Sequence, residues 1–223
     1  MYFKSNLFWF IVISNLLMYM TTVLVSYFWS RFYQLETYPL NKRDVKNSFI
    51  VLVINILVAV PGLWLWSLGY IVFSESGHFL GHLILLFFGF DLLMYGFHWM
   101  SHAAWPFNRF HDKHHVHTYF NSISLYVMEP VEAIFFGLLL MLAAYVYTFN
   151  IFSFILFLIL NWLLGVVGHL NSRKTKQPYL FGNYVFHKTH HQKGCFNYGF
   201  YTVIWDKIFR TYYWESKTLK QEK

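Results

Sequence analysis

Charge is what this sequence has least of. Asp, Glu, Lys and Arg together make up 12% of it, where ordinary soluble chains carry about 25%. With 57% of residues hydrophobic and 23% aromatic, a soluble fold has too little polar surface to cover itself, so a membrane protein is favoured. Cysteine is nearly absent. Cys195 stands alone, which excludes a disulfide framework and any thiolate metal site, and we read it as a small loop residue. Strand signals, regular repeats, low-complexity segments and lipidation motifs are missing as well. No clear A-x-A site follows the first apolar run, Leu7 to Trp29. That run is too long for the core of a signal peptide and is expected to stay as a span.

What the chain does have is long apolar runs. Crossing the hydrocarbon core takes about 20 apolar residues. Leu7 to Tyr27 and Asn47 to Phe73 qualify, the second with Pro61-Gly62 as a predicted kink or break. Phe79 to Phe97 is a shorter candidate. Val131 to Phe149 and Ile151 to Gly168 read as a helical hairpin turning near Asn150, either crossing or shallow. Backbone polar groups in lipid must be satisfied within their own segment, which makes the spans helices. The net charge of +7 comes from Lys and Arg lying between the runs. Arg31, Lys42, Arg43 and Lys46 fall in one connection, Arg109 and Lys113 in another. Arg173, Lys174, Lys176, Lys188, Lys193, Lys207 and Arg210 lie near the C-terminus. All three groups are expected on the cytoplasmic side, with the uncharged-to-acidic link Ser74-Glu75-Ser76-Gly77 opposite; Lys4 is a weak contrary signal. This placement points to a membrane rather than to nucleic acid.

Of the 12 histidines, eight fall into three compact groups: His98 and His102; His111, His114 and His115; His187, His190 and His191. Spacings of three and four residues put side chains on one helix face, so each group presents two or three imidazoles to a common point. His169 lies just past the last apolar run. A lone histidine is usually a hydrogen-bonded structural residue, but three groups at ligand spacing beside the membrane predict a metal site. So many imidazoles exceed the four ligands of a tetrahedral zinc. They suit two ions of higher coordination number, and Fe, Cu, Zn and Ni all accept imidazole. His78 and His82 share the spacing but stand roughly 24 Å of helix before His98, and are read as interfacial polar residues. His117 is read either as a surface residue or one supporting the second group, or as a further ligand. Asp91, two turns before His98, is an acid inside an apolar run. It is predicted either to support the site or lock its helix, or to bond another span. Asp206 is predicted either to orient a ligand imidazole or to cap a surface turn.

These residues resemble the fatty acid hydroxylase, or sterol desaturase, superfamily. The likeness rests on His98-x-x-x-His102, the HxxHH boxes at 111–115 and 187–191, Asp91, Asn197-Tyr198-Gly199, and Trp205-Asp206-Lys207-Ile208-Phe209, similar to the family's WDRxFGT. It spans Asp91 to Tyr212. The resemblance implies a non-haem di-iron oxygenase that uses dioxygen to hydroxylate or desaturate a lipid. His98, His102, His111, His114, His115, His187, His190 and His191 would be its iron ligands, and His169 the extra ligand the family often supplies. Two departures stand out: Arg210 where the family has glycine, and Glu129-Pro130 where it has His-Pro.

The chain is therefore expected to be an all-α integral membrane protein of four to five transmembrane helices. A cytoplasmic helical cap would carry the histidine-box metal site. The expected divisions of this single membrane domain are N-terminal spans at 1–78, a histidine-box region at 79–215 and a polar tail at 216–223. The membrane is expected to be the bacterial inner membrane or the endoplasmic reticulum. Without iron–sulfur cysteines or a G-x-G-x-x-G motif, electrons are expected from an external small haem cytochrome, or from a ferredoxin with its reductase. The contrasting reading is a membrane metal-binding or transport protein. A bis-histidine haem would leave most of the cluster unexplained.

Overall fold

A computed structural model describes residues 2–105, 107–111, 115 and 119–214; the tail predicted at 216–223 lies outside them. The described residues are helical apart from connections and two isolated bridges. The helices are α1 (Tyr2–Phe32), α2 (Lys42–Ser67), α3 (Phe79–Ala103), α4 (Phe107–His111), α5 (Pro130–Val146), α6 (Ile151–Gly168), α7 (Tyr184–Lys193) and α8 (Ile204–Ile208). Four of them, Asn6–Phe32 within α1 together with α2, α3 and α6, are long and apolar enough to cross a membrane. The shortest, α6, has 18 residues and rises about 27 Å, close to the ~30 Å hydrocarbon core. Their outward faces carry large apolar side chains, including Phe10, Leu17, Leu57 and Leu80. Water would not tolerate that much exposed apolar surface, and lipid favours it. These helices mark a membrane protein.

The fifth apolar segment, α5, has 17 residues and packs against α2. Any side chain at Gly137 would collide with Val58, so this glycine lets the two helices approach closely. Polar pairs tie the other helices: Tyr19 Oη to Ser48 Oγ at 2.9 Å joins α1 to α2, and Trp162 Nε1 donates to Thr22 Oγ1 at 3.0 Å between α6 and α1. Leu86, Phe90, Phe149, Phe157 and Tyr201 form the aromatic core where α3 meets α6.

Of the kink or break predicted at Pro61-Gly62, the break does not occur: the helix runs through Pro61. The end of α2 needs correction, since the helix stops at Ser67, not Phe73. Gly69, at φ 80, turns the chain, and the Tyr70 amide donates back to the Leu65 carbonyl. The remaining apolar residues are spent in a loop whose Ser74 pairs with Asn150 at the α5–α6 turn. His82 belongs to this same end: its Nδ1 accepts from the Asn150 amide at 2.8 Å and its Nε2 meets Tyr147 Oη at 3.2 Å. All the remaining histidines described below gather at the opposite end.

Candidate metal centre

The last turns of α3 carry His98 and His102. The chain then returns through α4, bringing His111 and His115 over the same helix end. The third box rides on α7. Its start is fixed by the Asn183 side chain accepting from the Phe186 amide, and its end by Gly194 at φ 69. His114 and His117 lie outside the described residues.

One nitrogen from each of His98, His102, His111, His115 and His190 falls within 4.8 Å of all the others. Nε2 of His111 approaches that of His98 at 3.1 Å and that of His115 at 3.0 Å. Nε2 of His102 approaches those of His190 at 3.1 Å and His115 at 3.2 Å. Behind the ring sit acceptors. His98 Nδ1 donates to the Tyr198 carbonyl at 2.8 Å, and His190 Nδ1 to the Phe196 carbonyl at 2.7 Å. A carbonyl only accepts, so the proton of each neutral ring stays on Nδ1 and the Nε2 lone pair faces inward. His111 Nδ1 is held by the Glu132 carboxylate, and His115 Nδ1 lies 3.4 Å from the His191 carbonyl, a weaker contact. Burial first, then its histidine neighbours, pushes His190 well below the usual 6.5. Burial and His102 lower His115 to about 4. At neutral pH both rings are uncharged, the form that binds metal.

A second group adjoins the first. His191 and His187 bring their Nε2 atoms to 3.1 Å, and the His169 ring lies 4.7 Å from that of His187. His115 and His191 stand 4.7 Å apart by ring centroid, linking the groups. All three of His169, His187 and His191 are buried, with His169 Nδ1 on the Gly165 carbonyl at 2.8 Å. The Phe120 ring fits among them.

Among the described residues, neither predicted acid touches an imidazole. Asp91, fully buried, accepts from the Tyr201 and Thr202 amides at 2.9 and 3.1 Å and from the Thr202 hydroxyl. It ties α3 to the loop following the third box. Asp206 accepts from the Tyr198 and Gly199 amides at 2.8 and 2.7 Å and from Thr211 Oγ1 at 2.7 Å. It thus holds the peptide whose carbonyl orients His98, one step removed from the role expected; burial raises its pKa. Any Cβ at Gly199 would strike the Thr202 carbonyl and the Asp206 carboxylate, which explains the glycine of Asn197-Tyr198-Gly199. Tyr198 stacks its ring edge-on against His98, His102 and His190, and burial pushes its hydroxyl up to about 12.

Glu132 escaped the sequence reading. It sits in the first turn of α5, where it also accepts from the Glu129 amide at 3.2 Å. The available signal was an acid just inside an apolar run, the same signal that marked Asp91.

The donor set fits a transition metal. The inward lone pairs of His98 and His111, whose Nε2 atoms are 3.1 Å apart, repel one another, and a cation between them removes the repulsion. With metal–nitrogen bonds of about 2.1 Å, adjacent ligands of an octahedron stand about 3.0 Å apart. Neutral imidazoles backed by carbonyls and a carboxylate are the usual form of such ligands.

Fold and site together define a helical membrane protein with a buried polyhistidine cap. The model of the fatty acid hydroxylase family matches residues 83–211, more than half of the chain, and the chain belongs to that family. No curated protein and no solved structure matches it. Membership makes it a lipid-modifying oxidoreductase by family.

Proposed function

We propose that the protein is a di-iron oxygenase that hydroxylates or desaturates a long-chain lipid with dioxygen and externally supplied electrons. The observation that carries this reading is the convergence of five Nε2 atoms, with three further imidazoles alongside. One ion would be held chiefly by His98, His102, His111, His115 and His190. A second would be held by the group around His169, His187 and His191, completed by shared or neighbouring rings, with His114 assigned by its place in the motif. A pair of irons held there would supply dioxygen activation and abstraction of hydrogen from an unactivated C–H bond.

The chain's own residues do the rest. Tyr198, Phe196 and Glu132 keep the Nε2 lone pairs turned inward. The nearly closed packing of Phe120, Tyr184 and Phe186 around α7 keeps bulk water from the imidazoles. The cluster sits at helix ends and not midway along the spans, which supports an enzyme over a transporter, whose ligands gather at the midplane. From 169 to 214 the only acid is Asp206, which is buried, against Arg173, Lys174, Lys176, Lys188, Lys193, Lys207 and Arg210. This basic cap suits an acidic electron donor, and its charge suits the cytoplasmic side.

The test compares lipid extracts of cells expressing wild type with those expressing His190→Ala. The expected result is a lipid gaining one oxygen or losing two hydrogens only with wild type. Identical extracts, from cells in which both proteins accumulate, contradict the reading.

A further inference from the structure

A cavity of about 690 Å³ opens between the C-terminal turns of α1, the chain that follows them and the loop after the second box. This lies in the middle of the range for small-molecule sites, about 300–1,000 Å³. It is at the same end of the molecule as the histidines, where α1 leaves its apolar stretch. Its wall is rich in hydrogen-bonding groups: Ser26, Ser30, Arg31, Tyr38, Asn121 and Ser122. Among the described residues of that wall, Arg31 is the only cation and none is an acid.

Asn121 adds a second, independent observation. Its Oδ1 accepts from the Ile123 amide at 3.0 Å and from Ser124 Oγ at 3.1 Å. An acceptor of a backbone N–H must be the amide oxygen, so the side chain's orientation is fixed. Nδ2 is then left without an acceptor among the described residues, on a side chain 5% exposed. A buried donor without an acceptor is destabilising, and an oxygen-rich ligand in the cavity would satisfy it after a small local adjustment. One residue back along the chain, Phe120 packs its ring 4.7 Å from His169 and 5.2 Å from His191. Its own amide and carbonyl are both held by the Asn171 side chain. The cavity-lining Asn121 therefore follows directly on the residue whose ring packs against the third box.

We infer that this cavity seats the phosphate-bearing head of a membrane phospholipid. A guanidinium, an amide N–H and several hydroxyls match a phosphate ester's oxygens; a sterol's single neutral hydroxyl would occupy only one or two of them and give the guanidinium no anion, and a hydrocarbon would occupy none. The inference rests on the proposed oxygenase only for what befalls the lipid: the phospholipid held there is the substrate, its head at Arg31 and Asn121 and its chains toward the histidines.

Binding is read without turnover. The whole protein, in neutral detergent, is titrated by native mass spectrometry. The three probes are phosphatidylglycerol, diacylglycerol with the same chains, and inorganic phosphate. Phosphatidylglycerol is expected to bind at least about tenfold more tightly than diacylglycerol, the size of one charge-assisted bond. Arg31→Gln is expected to bring the two lipids near parity. Asn121→Asp should do the same, because it keeps Oδ1 for Ile123 and Ser124 and replaces the donor with a carboxylate oxygen. Metal content and helicity should not change in either variant. Equal binding of both lipids by wild type, or an undiminished preference in both variants, overturns the inference. Inorganic phosphate binding without any lipid preference makes it a plain anion site and overturns it too. A protein that passes these tests yet alters no lipid in cells contradicts the oxygenase and the substrate role, and leaves the head-group site standing.

Discussion

His98, His111 and His190 each have an acceptor behind the ring, and at the scale of single residues that is where substitutions should tell. Glu132 holds His111 Nδ1 from another helix. Glu132→Gln removes the charge while keeping the shape, and is expected to weaken metal binding by about 10–100-fold, measured by competition with a chromogenic chelator. Arg210 sits at φ 61, in the left-handed region, at the position where the family has glycine. Arg210→Gly is expected to be neutral to stabilising, by up to about 1 kcal/mol, read as an unchanged or raised thermal midpoint. The histidine groups were legible in the sequence because three- and four-residue spacing is a local property of a helix. Glu132 was not, because its partner lies 21 residues away and only the fold brings α4 against the start of α5. Asp206 was expected either to orient a ligand imidazole or to cap a surface turn; it is buried, and its partners are the Tyr198 and Gly199 amides and the Thr211 hydroxyl. The path of the loop brings those donors to it, and no local spacing in the sequence announces that path.

Among the elements, the bond network from α3 to the loop at 197–202 decides whether the third box stays over the first. Asp91 contacts no imidazole among the described residues, yet Asp91→Asn, which keeps Oδ1 for the Tyr201 and Thr202 amides, replaces the acceptor of the buried Thr202 hydroxyl with a donor. It is expected to cost about 1–3 kcal/mol and to lower the metal content of the purified protein. An unchanged metal content would show that the lock is dispensable. Gly199→Ala should act through the same loop. It drives a methyl into the Thr202 carbonyl and the Asp206 carboxylate, at an expected cost of about 1–3 kcal/mol, read as a lowered unfolding temperature. Spans were legible by length and hydropathy, and α6 begins and ends where its apolar run does. The end of α2 was not legible. Residues 68–73 are as apolar as the helix before them, and hydropathy does not distinguish a helix from a loop that packs at the membrane end. Gly69 and the pairing of Ser74 with Asn150 decide that.

Across the whole molecule, apolar helices carry a cap whose interior is imidazole. Removing metal should therefore loosen the cap and leave the spans intact, because the cap's buried lone pairs lose the cation that reconciles them. Chelation is expected to speed amide exchange in α7 and at the His98–His102 end of α3, with the centres of α2 and α6 unchanged. The three boxes implied a shared centre before any fold was known. The arrangement of Nδ1 acceptors, the cavity beside Asn121 and the lock at Asp91 are long-range facts that only the packed chain contains. The central claim is that the histidines hold iron through inward-facing Nε2 atoms. Metal analysis with X-ray absorption at the iron edge, on wild type and His190→Ala, tests it most directly. The account predicts two irons per wild-type chain, with imidazole nitrogens in their coordination shell, and a substantial loss in the variant. Purified protein that binds no iron, or iron bound equally by the variant, would contradict it.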